Sequence, residues 1–324
     1  MVLRLIFQHI KRITLAAAWI LACRPALAAS ADYHAENLSQ ITVYVTVDWE
    51  GAWLENDNIA AMQNFRKKFP HIPMLQLLNP AYLLKQGVNK DLAIAQIKST
   101  FLPDDTQGLH VHAWKSLVQY CQVPYQHSHS FSGEDETCDT GDCGYTVSLE
   151  YAYSEADLTK ILACSRDLLV QQGFEKPKHF RAGGWQMGPK LANALQANGF
   201  VWDSSRIDAN LLTTRWHAES GMVKMTSALH QGSTALEQPF KLKAADSQRA
   251  ALIEYPNNAA LADYTKTKQI VEMFKQLILN NKEVMVLGFH QETADMYLPH
   301  LENAIPQMES IAKEANVQLI WASH

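Results

Sequence analysis

The sequence predicts an α/β protein, a distorted (β/α) barrel of about seven strand–helix units with parallel strands. Three observations lead there. Short runs of β-branched and aromatic residues alternate with longer helical patterns, the rhythm of parallel pairing through crossover helices. The chain has 324 residues, 47% of them hydrophobic, enough for one large core. Run after run expected as a strand ends in titratable side chains, and parallel barrels carry their chemistry at strand C-termini.

The first strand is residues 41–47, ITVYVTV, running into Asp48, Glu50 and Gly51. A helix over 58–69 follows, with Asp57 as a cap and Pro70 as its stop. Residues 73–78 form a short strand cut off by Asn79-Pro80, and 89–100 a helix with Leu92, Ile94 and Ile97 inward. A third strand covers 107–112. Residues 119–147 break the rhythm. They are polar, with two His, three Cys and, from Glu134 to Asp142, five acids, and read as a disulfide-pinned insertion. Asp139-Thr140-Gly141-Asp142 is rich enough in oxygen to suggest calcium, but solvated charge is the favoured reading. The helix over 154–172 has Ser154 and Asp157 as a capping box and Gly173 as its stop. A strand over 178–182, a helix from Gly188-Pro189 to Asn198 and a strand over 200–203 come next. Residues 205–250 read as loops with a hairpin. A strand over 251–255, a helix over 263–280, a strand over 283–289, a helix over 294–315 and a strand over 317–321 complete the chain.

Residues 1–28 read as an export signal. Arg4, Lys11 and Arg12 make a basic start, residues 13–22 are apolar, and Ala26-Leu27-Ala28 fits the cleavage rule. A lipoprotein anchor on Cys23 is the rival processing. The apolar run is short for a membrane span, so no stable span is expected after cleavage. The mature domain, 29–324, is expected to be periplasmic or secreted. In an oxidising compartment the remaining cysteines can pair. Cys138 with Cys143 and Cys121 with Cys164 are the favoured pairs, and Cys164 as a packed thiol is the alternative. A net charge of −5 argues against nucleic acid as a partner.

The strand ends are where the chemistry collects. Asp48 and Glu50 are two apart and project to one side of a strand. His110 and His112, in GLHVHAW, share a face in the same way. Two imidazoles and one carboxylate make the protein side of a catalytic zinc-type site with a position left for water, so Glu50, His110 and His112 are expected to hold a divalent metal, with zinc the expected ion.

 The pair His127 and His129 repeats the spacing inside the irregular insertion and is assigned to the surface. Arg181, in FRAGGW, is placed to sit beside Asp48 and keep it ionised. Gly183 and Gly184 allow close backbone approach, and their N–H groups could face an oxyanion. Trp53, Trp114 and Trp185 follow site residues, and their faces suit sugar rings. His290, in LGFHQET with Glu292 two residues on, is placed as a general acid.

These motifs together resemble the polysaccharide deacetylases of carbohydrate esterase family 4, the family of the nodulation chitooligosaccharide deacetylase, from about residue 41 to the end. The resemblance implies a distorted (β/α) barrel, a divalent metal, and removal of acetyl groups from N-acetylated sugars or a polysaccharide. TVDWEG resembles the first motif, which makes Asp48 the base and Glu50 a metal ligand. GLHVHAW resembles the second, with His110 and His112 as ligands. FRAGGW resembles the third, with Arg181 orienting the base and Gly184 and Trp185 near substrate, as Trp114 would be. WDSS resembles the fourth, whose acid, Asp203, supports the catalytic His. LGFH resembles the fifth, with His290 as general acid. The sequence departs from the usual pattern in three places. Trp49 splits the acid pair, H-x-H replaces H-x-x-x-H with Trp114 at the second His position, and Gly-Gly follows the Arg motif.

Two other functions fit parts of the pattern. DWE also resembles the end of the acid string of chitinase-like glycoside hydrolases, but Val43 and Thr46 stand at the earlier acid positions. A non-catalytic carbohydrate-binding relative would keep the barrel without turnover.

Overall fold

The computed structural model describes residues 38–138, 141–242 and 251–324, all within one compact unit, Tyr33–His324. The expected leader and Cys23 lie outside the described residues, as do parts of the calcium-like loop and of the 205–250 region.

In chain order the elements are β1 (Gln40–Asp48), α1 (Asn56–Lys68), β2 (Met74–Leu78), α2 (Lys90–Lys98), β3 (Thr106–Val111), α3 (Lys115–Tyr120), α4 (Leu149–Ala152), α5 (Glu155–Gln171), β4 (His179–Ala182), α6 (Pro189–Ala197), β5 (Trp202–Asp203), α7 (Gly221–Leu229), β6 (Phe240–Lys241), β7 (Ile253–Glu254), α8 (Thr267–Leu279), β8 (Val284–His290), α9 (Ala294–Glu314) and β9 (Gln318–Ala322). The sheet order is β6-β7-β5-β4-β3-β2-β1-β8, and β9 lies along the first half of β1. Every pairing is parallel except β6 with β7. The expected α/β class with parallel strands is therefore present, and the distorted barrel takes the form of a half-barrel.

β1 is central because both of its faces are covered. Val43, Val45 and Val47 are fully buried, and Trp49 continues that burial past the strand end. Its indole Nε1 donates to Gln76 Oε1 at 3.0 Å. Trp49 thus points into packing while its neighbours Asp48 and Glu50 point elsewhere, as a period of two requires. α9 is long and carries Pro299 and Pro306 inside it, yet buries Leu298, Leu301, Ile305 and Met308 in one stripe at helical spacing.

Three local readings change. Residues 205–250 hold a helix, α7, capped by Ser220, whose hydroxyl accepts from Val223 N at 3.3 Å. The helix expected from residue 263 begins at Thr267, which leaves Asp263 in a loop. Asp142, at the end of the calcium-like loop, is not a solvated charge: it lies 2.6 Å from Lys85 Nζ and accepts from Ser116 N and Oγ.

Among the described residues no strand lies beyond β8 in the sheet. Residues 257–262 run along its free edge. Ala259 N donates to Val286 O at 3.1 Å and Ala262 N to Gly288 O at 2.8 Å. Asn258 Nδ2 donates to Val284 O, and its Oδ1 accepts from Val286 N, both at 2.9 Å. Two disulfides pin the insertion, Cys121–Cys164 with Cα atoms 5.6 Å apart and Cys138–Cys143 at 5.5 Å.

Candidate metal and catalytic site

Four strand ends and the insertion meet at one small cavity of about 30 Å³, with Asp48, Glu50, His110, His112 and His290 on its polar side. Phe131, Trp185, Trp216, Met222 and Tyr264 form its apolar side. On this measure a water needs roughly 10–15 Å³. The space suits a water and a small acyl group, and no sugar ring fits inside it.

Glu50 is the hub. Its Oε2 lies 2.6 Å from His112 Nε2, and its Oε1 lies 3.7 Å from His110 Nε2 and 3.0 Å from His290 Nε2. His110 Nδ1 contacts Arg181 O at 2.9 Å, and His112 Nδ1 contacts Tyr145 O at 2.6 Å. A carbonyl only accepts, so both Nδ1 atoms carry the proton when the rings are neutral. Both Nε2 atoms then turn lone pairs toward a carboxylate. The three atoms Glu50 Oε2, His110 Nε2 and His112 Nε2 are buried without a hydrogen-bond partner. Lone pairs facing one another across such a gap call for a cation. Glu50, His110 and His112 offer ligand atoms within 4.8 Å of one another. Two neutral imidazoles held through Nδ1 and one carboxylate are a donor set that fits a divalent metal.

The glycines beside this cluster are required by close packing. A Cβ on Gly183 would lie 2.7 Å from the His112 ring, and one on Gly184 would lie 2.6 Å from Phe131. Gly184 also has φ +59, in the left-handed region. Tyr145 stacks on the His112 ring, centroids 4.4 Å apart. The insertion therefore supplies Tyr145 and Phe131 to the site.

Asp48 and Arg181 form a buried pair, Nη1 to Oδ1 at 2.7 Å. Arg181 is fully buried, and each of its three side-chain nitrogens donates a hydrogen bond. Nη1 also donates to Thr46 Oγ1, Nε to Ser204 O and Nη2 to Ser204 Oγ. A guanidinium so fixed holds Asp48 in one orientation at the cavity wall.

His290 is held by Asp263, not by Asp203. Its Nδ1 lies 3.0 Å from Asp263 Oδ2, and Asp263 also accepts from the His290 N–H and the Thr293 hydroxyl. Burial alone would push the imidazole pKa down, but the charges of Asp263 and Glu50 hold it well above the usual value. Asp263 is held low in turn: burial raises it, and the charge and hydrogen bond of His290 prevail. The expectation for Asp203 fails for a reason of topology. It stands on β5 between β4 and β7, away from β8. There it accepts from Ser205 N and Oγ and is hydrogen-bonded to Glu254. Asp263 is delivered by the irregular segment along the edge of β8, which has no period to read.

Trp114 is buried. Its Nε1 donates to Glu50 O at 2.7 Å, and Lys85 Nζ lies 3.3 Å from its ring centroid, so one face is already covered. Trp185 is buried too, donating to Asn257 Oδ1, but its ring lines the cavity. Trp53 is 58% exposed and borders a second, open cavity of about 450 Å³ that also reaches Glu50, Tyr145 and Glu292. His127 is exposed, 3.6 Å from Asp135, and His127 and His129 take no part in the cluster.

No protein-family model and no curated protein matches the sequence. Solved structures with a related fold are found. A protein assigned as a polysaccharide deacetylase from Mycobacterium smegmatis is 13% identical, covering 88% of each chain, with a TM-score of 0.48. A 4-alpha-glucanotransferase from Thermococcus litoralis is 11% identical over 87% of this chain and 39% of its own, with a TM-score of 0.44. A chitin deacetylase from Colletotrichum lindemuthianum is 9% identical, covering 87% of this chain and 86% of its own, with a TM-score of 0.41.

Proposed function

We propose that the protein is a metal-dependent deacetylase that hydrolyses N-acetyl or O-acetyl groups on a polysaccharide or N-acetylated sugar, a divergent relative of carbohydrate esterase family 4. The observation that carries this reading is the set of three partnerless ligand atoms, on Glu50, His110 and His112, in a cavity that also holds an Arg-fixed acid and an Asp-fixed imidazole.

Glu50, His110 and His112 would hold a divalent ion, with zinc as the proposed metal. What a bound ion supplies is polarisation of the acyl carbonyl and a lower pKa for water at that position. Asp48, fixed by Arg181, accepts the proton of the attacking water. The apolar wall of Phe131, Trp185, Met222 and Tyr264 seats the acyl methyl and keeps bulk water out. His290 donates the Nε2 proton to the departing amine or hydroxyl, and Asp263 holds Nδ1 and stabilises the charged ring before transfer. A pairing of an oriented base with an acid kept protonated is what amide hydrolysis needs at neutral pH.

An export signal over 1–28 and a periplasmic or secreted location belong to the same proposal. The two disulfides support it, since such pairs persist in oxidising compartments. No helix of the described residues is long and apolar enough to cross a membrane.

The test is metal analysis of the purified protein with assays of N-acetylglucosamine oligomers and acetylated xylan. Zinc at one equivalent and release of acetate support the proposal. Cleavage of sugar–sugar bonds would move the protein to the glycoside hydrolases. Retention of the oligomer with neither product would make it a binding protein.

A further inference from the structure

Glu292 does not belong to the ligand set or to either proton-transfer pair, yet its half-buried carboxyl group is tied into the turn that carries Glu50. β1 makes its last pairings at Asp48, to Leu77 and His290. Trp49 N still reaches Leu77 O at 3.0 Å, and beyond it the chain leaves the sheet. The next N–H groups have no strand to meet. Glu50 N donates to Glu292 Oε2 at 3.3 Å, and Ala52 N donates to Glu292 Oε1 at 3.2 Å. Between them Gly51 sits at φ +80, where a Cβ would lie 2.7 Å from the Asn79 side chain.

The other side of the Glu50 peptide is held as firmly. Its carbonyl accepts from Asn79 Nδ2 at 3.0 Å and from Trp114 Nε1 at 2.7 Å. Glu292 is itself anchored. Tyr82 Oη donates to its carboxyl group, and Asn58 Nδ2 donates to its backbone carbonyl at 2.9 Å. A second carboxyl group set this close to Glu50 is electrostatically unfavourable. Apolar packing would fill that space at lower cost. The two amide bonds are what a carboxyl group adds.

We propose that Glu292 is a positioning residue: its carboxyl group clamps the Glu50–Ala52 turn, aims the Glu50 side chain at the two imidazoles, and fixes it relative to His290 two residues away. The inference rests on the reading of Glu50 as a metal ligand. One side chain then joins the turn that holds the metal ligand to the turn that holds the acid.

The test is zinc affinity of the full chain, by calorimetry or competition with a chromogenic chelator, together with the visible spectrum of the cobalt(II) form. In Glu292→Gln one oxygen becomes an NH₂ group that opposes a backbone N–H. Zinc affinity falls by roughly 10–100-fold, the range for loss of a group that orients a ligand, and the cobalt bands shift as the coordination geometry changes. Tyr82→Phe leaves both amide bonds in place and loses less affinity. If Glu292→Gln is folded by circular dichroism and binds zinc with less than a ~10-fold loss and an unchanged cobalt spectrum, the inference is overturned. A lowered melting temperature with wild-type zinc affinity would equally overturn it, since that is a structural role only. Wild-type protein that binds no zinc overturns the ligand reading of Glu50 and this inference with it. Wild-type binding with an unaltered Glu292→Gln variant overturns this inference alone.

Discussion

Two buried clusters of ionisable groups stand a few strands apart in the same sheet. One gathers Glu50, His110, His112, His290 and Asp263 at the ends of β1, β3 and β8. The other pairs Asp203 with Glu254 at the ends of β5 and β7. The second is fully buried, and the first is buried except at His290. They differ in whether their polar atoms are satisfied. Asp203 accepts from Ser205, Glu254 accepts from Arg206 N, and the two acids share a hydrogen bond, with burial and then Asp203 pushing the Glu254 pKa well up. That pair staples neighbouring strands around a retained proton. The first cluster leaves three ligand atoms without partners. Burial of charge therefore does not mark a functional site by itself in this molecule. Unmet hydrogen-bonding capacity that converges on one gap does.

The comparison can be broken by experiment, and the largest effect is expected at the unsatisfied cluster. His112→Ala removes a ligand atom and should lower zinc affinity by more than the ~100-fold that an outer group can cost. Calorimetry measures it, and retained affinity would place the metal elsewhere. Next, Asp263→Asn should reduce acetate release by roughly 10²–10⁴-fold through misplacement of a general acid. Asp203→Asn should leave turnover within about tenfold, because its partners are structural; steady-state kinetics on the two variants decides. If the two effects came out reversed, the acid implied by the family motif would be the working one after all.

Gly183→Ala is a subtler probe, since the added methyl must displace the His112 ring. A loss of zinc affinity of roughly tenfold is expected, as for a disturbed ligand orientation. The smallest effect belongs to the sealed pair. A carboxyl whose folded pKa is raised binds its proton in the fold at pH values where the unfolded chain has released it. Its contribution is present below the unfolded value and is lost as pH rises toward the folded one. The melting temperature of the wild type should therefore fall from pH 5 to pH 8 more than that of Glu254→Gln, which keeps the donor without titrating. Parallel curves would show that Glu254 carries no retained proton.

Much of this site could be read before any fold was known, wherever the strand period of two carries the information. Asp48 with Glu50, and His110 with His112, are brought together by that period alone, with Trp49 and Val111 turned into the core between them. Arg181 and His290 were legible as strand-end residues. Asp263 was not, because the segment that carries it has no repeat and is positioned by hydrogen bonds to β8. Asp203 was misassigned because its motif position was carried over and its strand neighbours could not be foreseen. The role of Tyr145 at His112 is played by a backbone carbonyl, which every residue owns and no letter of the sequence singles out. Trp114 reads as a sugar platform from its spacing; in the fold Lys85 covers one face of its ring and Glu50 takes its N–H, and the residue borders the open cavity beside Trp53.

The way the wall is finished has a consequence of its own. Beside β8, amide side chains of Asn257 and Asn258 take the donor and acceptor positions that a neighbouring strand's backbone would fill. A strand there would be locked to the pleat, with every second side chain committed inward. A seam sewn by asparagines is free of that rule, so the chain can bend where it must and set down one acid at the rim beside His290. Regular strands supply this protein's fixed instruments, and the stitched margin supplies the one that had to be placed by hand.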